Sequence, residues 1–266
     1  EVEILVSDQF PKAHKLRKKW EKKFDCRYIH SKTKGRSQNR NELAEAADGT
    51  HLVFMDADAL PKTAGFLNRY CNYAQNAQVI VGGTAYQPGF KVDSLRVKIG
   101  KLKEQIPPFN RDKKPYASFS AFNFMIQREL FQNIQFDPRL EKYGHEDTLF
   151  GQELRRRGAT IDHIDNPAYH MGIDSGEVFM DKTAEAVDSL AFLIAEGSID
   201  EEIRLFKIYR IISLTGLVYI LRLLHKLIGN PIKTALARGW VPIFMYDFYK
   251  LLRLSSKPIK ILRRMP

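Results

Sequence analysis

The segment HLVFMDADALP, residues 51 to 61, places two carboxylates, Asp56 and Asp58, one residue apart behind four apolar side chains. On an extended backbone residues i and i+2 point the same way, so both acids address one partner if the strand stays regular. Left alone, the two carboxylates repel and one takes up a proton. A hard divalent cation removes that conflict, and Mg²⁺ or Mn²⁺ is commonly held by one or two carboxylates together with substrate phosphates. The same tripeptide also suits an exposed turn, so the pair by itself leaves both readings open.

The elements around it alternate between strand and helix patterns, which predicts an α/β sheet covered by helices. EILVSD and CRYIHS read as strands flanking the Lys-rich helix PKAHKLRKKWEKKF. A polar loop, KTKGRSQ, precedes a short helix NRNELAEAA, and HLVFMDAD follows as a strand closed by Pro61. A helix over about residues 62 to 76, a strand QVIVGGT and a long charged loop at 88 to 115 come next. Beyond the loop lie YASFSAFNFMIQ, a helix RELFQNI, the helix EDTLFGQELRRRG and a strand ATIDHID leading into NPAYHMG. In an open α/β sheet ligands bind outside the carboxyl ends of the strands, where LVFMDAD delivers its acids. Tyr116, Phe119, Phe122 and Phe124 offer flat apolar faces to a ligand, although their spacing equally suits a core. Asn123, pointing away from its Phe neighbours, is the better candidate for hydrogen bonds to a ligand.

Two stretches together resemble family 2 glycosyltransferases of the GT-A fold. GRSQNRNELAEAADGTHLVFMDADALP is similar to the nucleotide-sugar half, where a glycine loop and an Arg-Asn pair open a helix and a strand ends in Asp-x-Asp. AFNFMIQRELFQNIQFDPRLEKYGHEDTLFGQELRRRG is similar to the acceptor half, close to the C-terminal region of galactosyltransferases, with its Gly-x-Glu-Asp opening a helix. The resemblance spans roughly residues 1 to 175 and rests on two matches in the right order.

It implies roles for particular residues. Asp8 matches the acid that contacts the base or ribose, and alternatively reads as a helix N-cap. Arg40 matches an arginine near the diphosphate, or else a solvated helix-end arginine. Asp56 is implied beside ribose and metal, and Asp58 as a direct metal ligand. Inverting sugar transfer needs a base on the acceptor side, and the family places it at the second acid of Glu-Asp. Asp147 is then the base and Glu146 an acceptor-hydroxyl contact. Both also suit an acidic helix start, whose dipole would keep the base ionised. His170 is implied as a further ligand for Mn²⁺ or Mg²⁺, whereas His145 and His163 read as structural. The family usually begins with a strand carrying a Pro-x-Tyr-Asn-like motif; this chain opens after it, which suggests a missing N-terminal strand and leaves the nucleotide unassigned. SDQF also departs from the common Asp-Asp-Gly-Ser.

Length and charge set the organisation. The 266 residues, 44% hydrophobic, suffice for a large core. Two cysteines exclude a disulfide framework and point to a reducing, cytoplasmic setting. From Arg204 to Pro266 there are thirteen Lys/Arg against one acid, Asp247, a net +12 that leaves the first 203 residues at −1. The expected organisation is a GT-A catalytic domain over 1–176, an acidic helical linker over 177–203 and a basic amphipathic tail over 204–266. Such a tail fits an anionic membrane surface at the inner membrane face, or helices packed on the main domain with their Lys/Arg in water. Nucleic acid is not expected as a partner.

The expected activity is metal-dependent, inverting transfer of a hexose or N-acetylhexosamine from a UDP-linked nucleotide sugar to a glycan or lipid-linked acceptor. A metal-dependent phosphohydrolase or nucleotidyltransferase built on Asp56, Asp58 and His170 is the alternative enzyme. A non-catalytic membrane- or nucleic-acid-binding module is the alternative without chemistry.

Overall fold

The computed structural model describes residues 2–8, 14–31, 33, 35–91, 94–140, 143–200 and 202–259. In chain order the first half runs β1 (Leu5–Asp8), α1 (His14–Phe24), β2 (Arg27–His30), α2 (Arg36–Ala46), β3 (His51–Met55), β4 (Ala59–Pro61), α3 (Phe66–Tyr73), β5 (Val79–Val81) and β6 (Thr84–Ala85). It continues with α4 (Leu95–Lys103), α5 (Pro108–Arg111), β7 (Asn123–Gln127), α6 (Arg128–Ile134), α7 (Glu146–Arg156), β8 (Ile161–His163) and β9 (Ala168–His170). Four helices follow: α8 (Gly176–Ala195), α9 (Arg204–Leu214), α10 (Val218–Ala237) and α11 (Phe244–Ser255).

These elements form two compact units, the first comprising Glu1–Thr84, Pro107–Glu141 and Glu146–Tyr169. Its main sheet has the order β3-β7-β5-β8, with β7 antiparallel to both neighbours and β5 parallel to β8. On β3, Leu52 and Phe54 face inward while His51 and Val53 face outward, the period-two pattern of a strand with one buried face. β7 and β5 are buried on both faces, and Val79, Ile80, Phe124 and Ile126 are almost wholly enclosed. One face of the sheet packs a cluster of aromatic rings, Phe54 on Phe124 at 4.8 Å and Phe136 on Phe150 at 4.3 Å. The other packs Phe66, Tyr70, Ile80, Phe122 and Met125. Phe119, Phe122 and Phe124 are therefore core residues, not a sugar platform; each contributes about 1.5–3 kcal/mol by leaving water. β1 and β2 pair in parallel as a separate ribbon, and β4, β9 and β6 form a small sheet in that order.

The second unit comprises Ala85–Ile106, Lys142–His145 and His170–Pro266. This partition differs from the linear one the sequence suggests. The charged segment at 88 to 115 is not a structureless loop, because it holds α4 and α5. The stretch at 177 to 203, expected as an acidic helical linker, holds most of α8, which buries Phe179, Met180, Val187, Leu190 and Leu193 and shares a core with Ile232 and Leu236 of α10 and Tyr249 and Leu252 of α11. Its acids face the tail's bases, with Asp188 accepting from Arg253 at 2.7 and 2.9 Å and Asp181 paired with Lys233. Helices α10 and α11 of the basic tail pack on α8 in this way. Residues 260–266 lie outside the described part.

Candidate active site

β3 ends at Met55, and the chain then turns tightly, with the Ala59 N–H donating to the Asp56 carbonyl at 2.9 Å. Asp56 and Asp58 are therefore corners of a turn rather than neighbours on one strand face, the second of the two readings the tripeptide leaves open. The Asp56 N–H donates to the Phe122 carbonyl at 3.2 Å, fixing the turn to the lead-in of β7. Its carboxylate then accepts from Arg40 Nη2 at 2.7 Å.

Arg40 comes from the second turn of α2 and is 8% exposed, so it is not a solvated helix-end arginine. Its guanidinium lies 5.2 Å from the centre of the Phe136 ring, a cation–π contact. Nη1 stands 3.9 Å from Glu146 Oε1 and makes no hydrogen bond with the protein. Burial opposes its charge, but Asp56, Asp147 and Glu146 together hold the proton more firmly than usual. The arginine is committed to carboxylates, and its Nη1 is enclosed without a hydrogen-bond partner.

Glu146 and Asp147 open α7. Asp147 Oδ2 accepts the Ala121 N–H at 3.1 Å, and Ala121 directly precedes Phe122, the residue that anchors Asp56. Two acidic residues from distant parts of the chain, Asp147 through its carboxylate and Asp56 through its backbone N–H, thus hang on adjacent residues of one segment. Burial first, and then the neighbouring Glu146, pushes Asp147 up to about 7, against the pull of Arg40 and the Ala121 N–H. Side-chain exposure at Asp147 is intermediate, so the group is confined yet reachable. The helix-start effect expected to keep this acid ionised is outweighed by that confinement and by its like-charged neighbour.

The remaining candidates are placed differently. Asn123 is 1% exposed; its Oδ1 accepts from Tyr70 Oη at 2.6 Å and its Nδ2 donates to the carbonyls of Gly83 and Asn166 at 3.0 and 2.8 Å. With its hydrogen-bonding groups spent on the ends of strands, it does not face donor or acceptor. A Cβ on Gly82 would stand 2.5 Å from that Nδ2 and 2.6 Å from Tyr70 Oη, so the bare Cα of Gly82 is what lets the network close. Asp8 ends β1, where Tyr28 donates to Oδ2 at 2.5 Å; burial and this acid push the Tyr28 hydroxyl up to about 12. The alternative N-cap role for Asp8 falls on residues outside the described part. His170 closes β9 and belongs to the second unit, its ring 6.0 Å from that of Tyr86. His163 accepts its structural reading, bonded to Arg111 and the Pro115 carbonyl.

Asp58, partly exposed in its turn, is a hard oxygen donor of the kind that binds Mg²⁺ or Mn²⁺. No group of three or more His, Cys, Asp or Glu residues is poised to hold a metal among the described residues. This donor set fits an ion whose shell substrate phosphates complete, not a preformed cage. Two contributors carried no signal of their own in the sequence: Ala121, which acts through its backbone, and Phe136, whose backbone is clamped by Asn41 through bonds of 2.8 and 2.9 Å. The Asn beside Arg40 was the available clue.

Residues 1–135 match the sequence model described as Glycosyl transferase family 2. No curated protein matches the chain. Among solved structures, the mannosyltransferase PcManGT from Pyrobaculum calidifontis, in complex with GDP-Man and Mn²⁺, is 14% identical with a TM-score of 0.55, covering 96% of this chain and 76% of that one. Staphylococcus aureus TarS is 16% identical at a TM-score of 0.48, covering 96% of this chain, which spans about half (49%) of TarS. Glucosyl-3-phosphoglycerate synthase from Mycobacterium tuberculosis, with Mn²⁺, UDP and glucosyl-3-phosphoglycerate, is 14% identical at 0.49, over 75% of this chain and 70% of that one. At 14% identity the likeness to PcManGT shows the fold alone, an α/β arrangement of the GT-A kind.

Proposed function

This chain belongs to glycosyltransferase family 2, and from that premise we propose that it is a metal-dependent, inverting enzyme. It moves a hexose or N-acetylhexosamine from a UDP-linked sugar to a glycan or lipid-linked acceptor. The observation that carries this reading is the meeting of the Asp-x-Asp turn and the Glu-Asp helix start at one buried arginine, with Arg40 Nη2 2.7 Å from Asp56 and Nη1 3.9 Å from Glu146.

In this reading Asp147 takes the proton from the acceptor hydroxyl as that oxygen attacks the anomeric carbon. The bond from that carbon to the nucleoside diphosphate breaks on the opposite face, so configuration inverts. A base works best when its proton affinity lies near the operating pH, and the position of Asp147 meets that requirement. Glu146 orients the acceptor hydroxyl. Arg40 keeps three carboxylates in one confined place near the diphosphate. Asp58 would hold the metal, with Asp56 beside the ribose. When bound, the ion neutralises charge developing on the departing diphosphate.

Screening nucleotide sugars for thermal stabilisation with and without Mn²⁺ tests the reading, because a bound ligand raises the unfolding temperature by mass action. UDP-sugars should stabilise the protein more with Mn²⁺ than without, and Asp58→Asn should remove the Mn²⁺-dependent part. Indifference to every nucleotide sugar under both conditions overturns it.

A further inference from the structure

The second unit leaves a run of large apolar side chains in water at one corner. Ile211, Leu214, Leu217, Ile220, Leu223 and Leu227 are between 50 and 68% exposed. They follow the end of α9 and the start of α10, whose axes bend by 115° about a short break at Thr215–Leu217, where Gly216 takes a φ of 78°. On α10, Ile220, Leu223 and Leu227 recur at three- and four-residue spacing and so share a face. Val218, Ile232 and Leu236 mark the opposite, buried face. The helix is apolar on two sides and packed on one, a feature that points to a second contact surface.

Charge identifies the occupant. No Asp or Glu lies between Glu202 and Asp247, and the uncharged run Ile211–Leu221 is flanked by Arg204, Lys207 and Arg210 before it and by Arg222, Lys226 and Lys233 after it. Arg204, Lys207 and Lys226 are exposed. A second copy docking through a two-fold axis would bring these like charges toward their own counterparts, which disfavours a self-complementary contact. No single helix among the described residues is long and apolar enough to cross a membrane; α9 and α10 meet that length and composition only together, across their 115° bend. An apolar tip with basic shoulders matches a bilayer interface, where aliphatic side chains reach the acyl boundary and Lys/Arg meet lipid phosphates.

We propose that the α9–α10 corner is a seat for an anionic lipid surface. It narrows the membrane contact from the whole basic tail to residues 204–227, and it stands independently of the transfer chemistry. The test is co-flotation of the full chain with vesicles of phosphatidylcholine alone or mixed with phosphatidylglycerol. The protein should float with the mixed vesicles and much less with the neutral ones. Leu214→Glu combined with Leu223→Glu should abolish flotation while leaving the unfolding temperature unchanged, since both sites are exposed. Lys207→Gln and Lys226→Gln should each weaken binding roughly fivefold. Failure to float with anionic vesicles overturns the proposal. So does a concentration-dependent dimer in light scattering that Leu214→Glu dissociates, because the corner would then belong to a second copy.

Discussion

Arg40 donates to Asp56 across 2.7 Å, joining the middle of a helix to the end of a strand sixteen residues later. The same guanidinium faces Glu146, so the two halves of the chain that carry carboxylates are tied through a single buried cation. Removing one member of a buried ion pair leaves the partner charged and uncompensated. Arg40→Met should therefore destabilise the protein by about 3 kcal/mol. Urea unfolding of the variant checks this; a loss within error of zero would mean the carboxylates do not depend on Arg40.

The elevated proton affinity of Asp147 makes a prediction about rate. If it acts as the base, kcat at saturating donor should rise with pH up to about 7 and level off above it. Arg40 lowers that affinity, so Arg40→Met should move the rise to higher pH. A profile flat between pH 5 and 8, the span in which such a group titrates, would remove Asp147 from the proton transfer.

The same group has a signature in stability, with the opposite sign from most acids. Because the folded state binds this proton more tightly than the unfolded chain, its contribution is fully present below the ordinary carboxylate range and is lost as pH rises through about 7. Asp147→Asn should flatten the fall in unfolding free energy across that window. Measuring stability against pH for both proteins decides it.

Asn123 should behave as a structural residue. Asn123→Ala strips partners from Tyr70 and from the Gly83 and Asn166 carbonyls, each left buried at a cost of about 1–3 kcal/mol. Thermal unfolding should show a large loss while the folded variant keeps its KM for donor. An unchanged melting temperature with a raised donor KM would return Asn123 to the binding site.

The strand β3, the helix α6 and the acidic start of α7 were legible because each has a local signature: period-two burial, a short amphipathic run, and two acids at a helix start. The turn at Asp56–Ala59 was legible only as one of two readings, since Asp-x-Asp also suits a turn; its anchoring to Phe122 was not, because that bond comes from far along the chain. Asn123 was misread for a related reason. Alternation along a strand tells which side a side chain leaves from, but β7 is buried on both sides, so its polar residue points into protein. The acids of α8 read as an acidic helical linker because their partners, Lys233 and Arg253, lie far along the chain. Asp147's elevated proton affinity needed the fold, as it arises from confinement and from Glu146 held in place.

The most direct test compares kcat with donor affinity in Asp147→Asn. A base on the acceptor side gives a fall in transfer of about 10² to 10⁴, with binding of the UDP-sugar in Mn²⁺, measured by calorimetry, unchanged. Transfer at the unsubstituted rate, or a loss of donor affinity that accounts for the whole fall, would contradict the account.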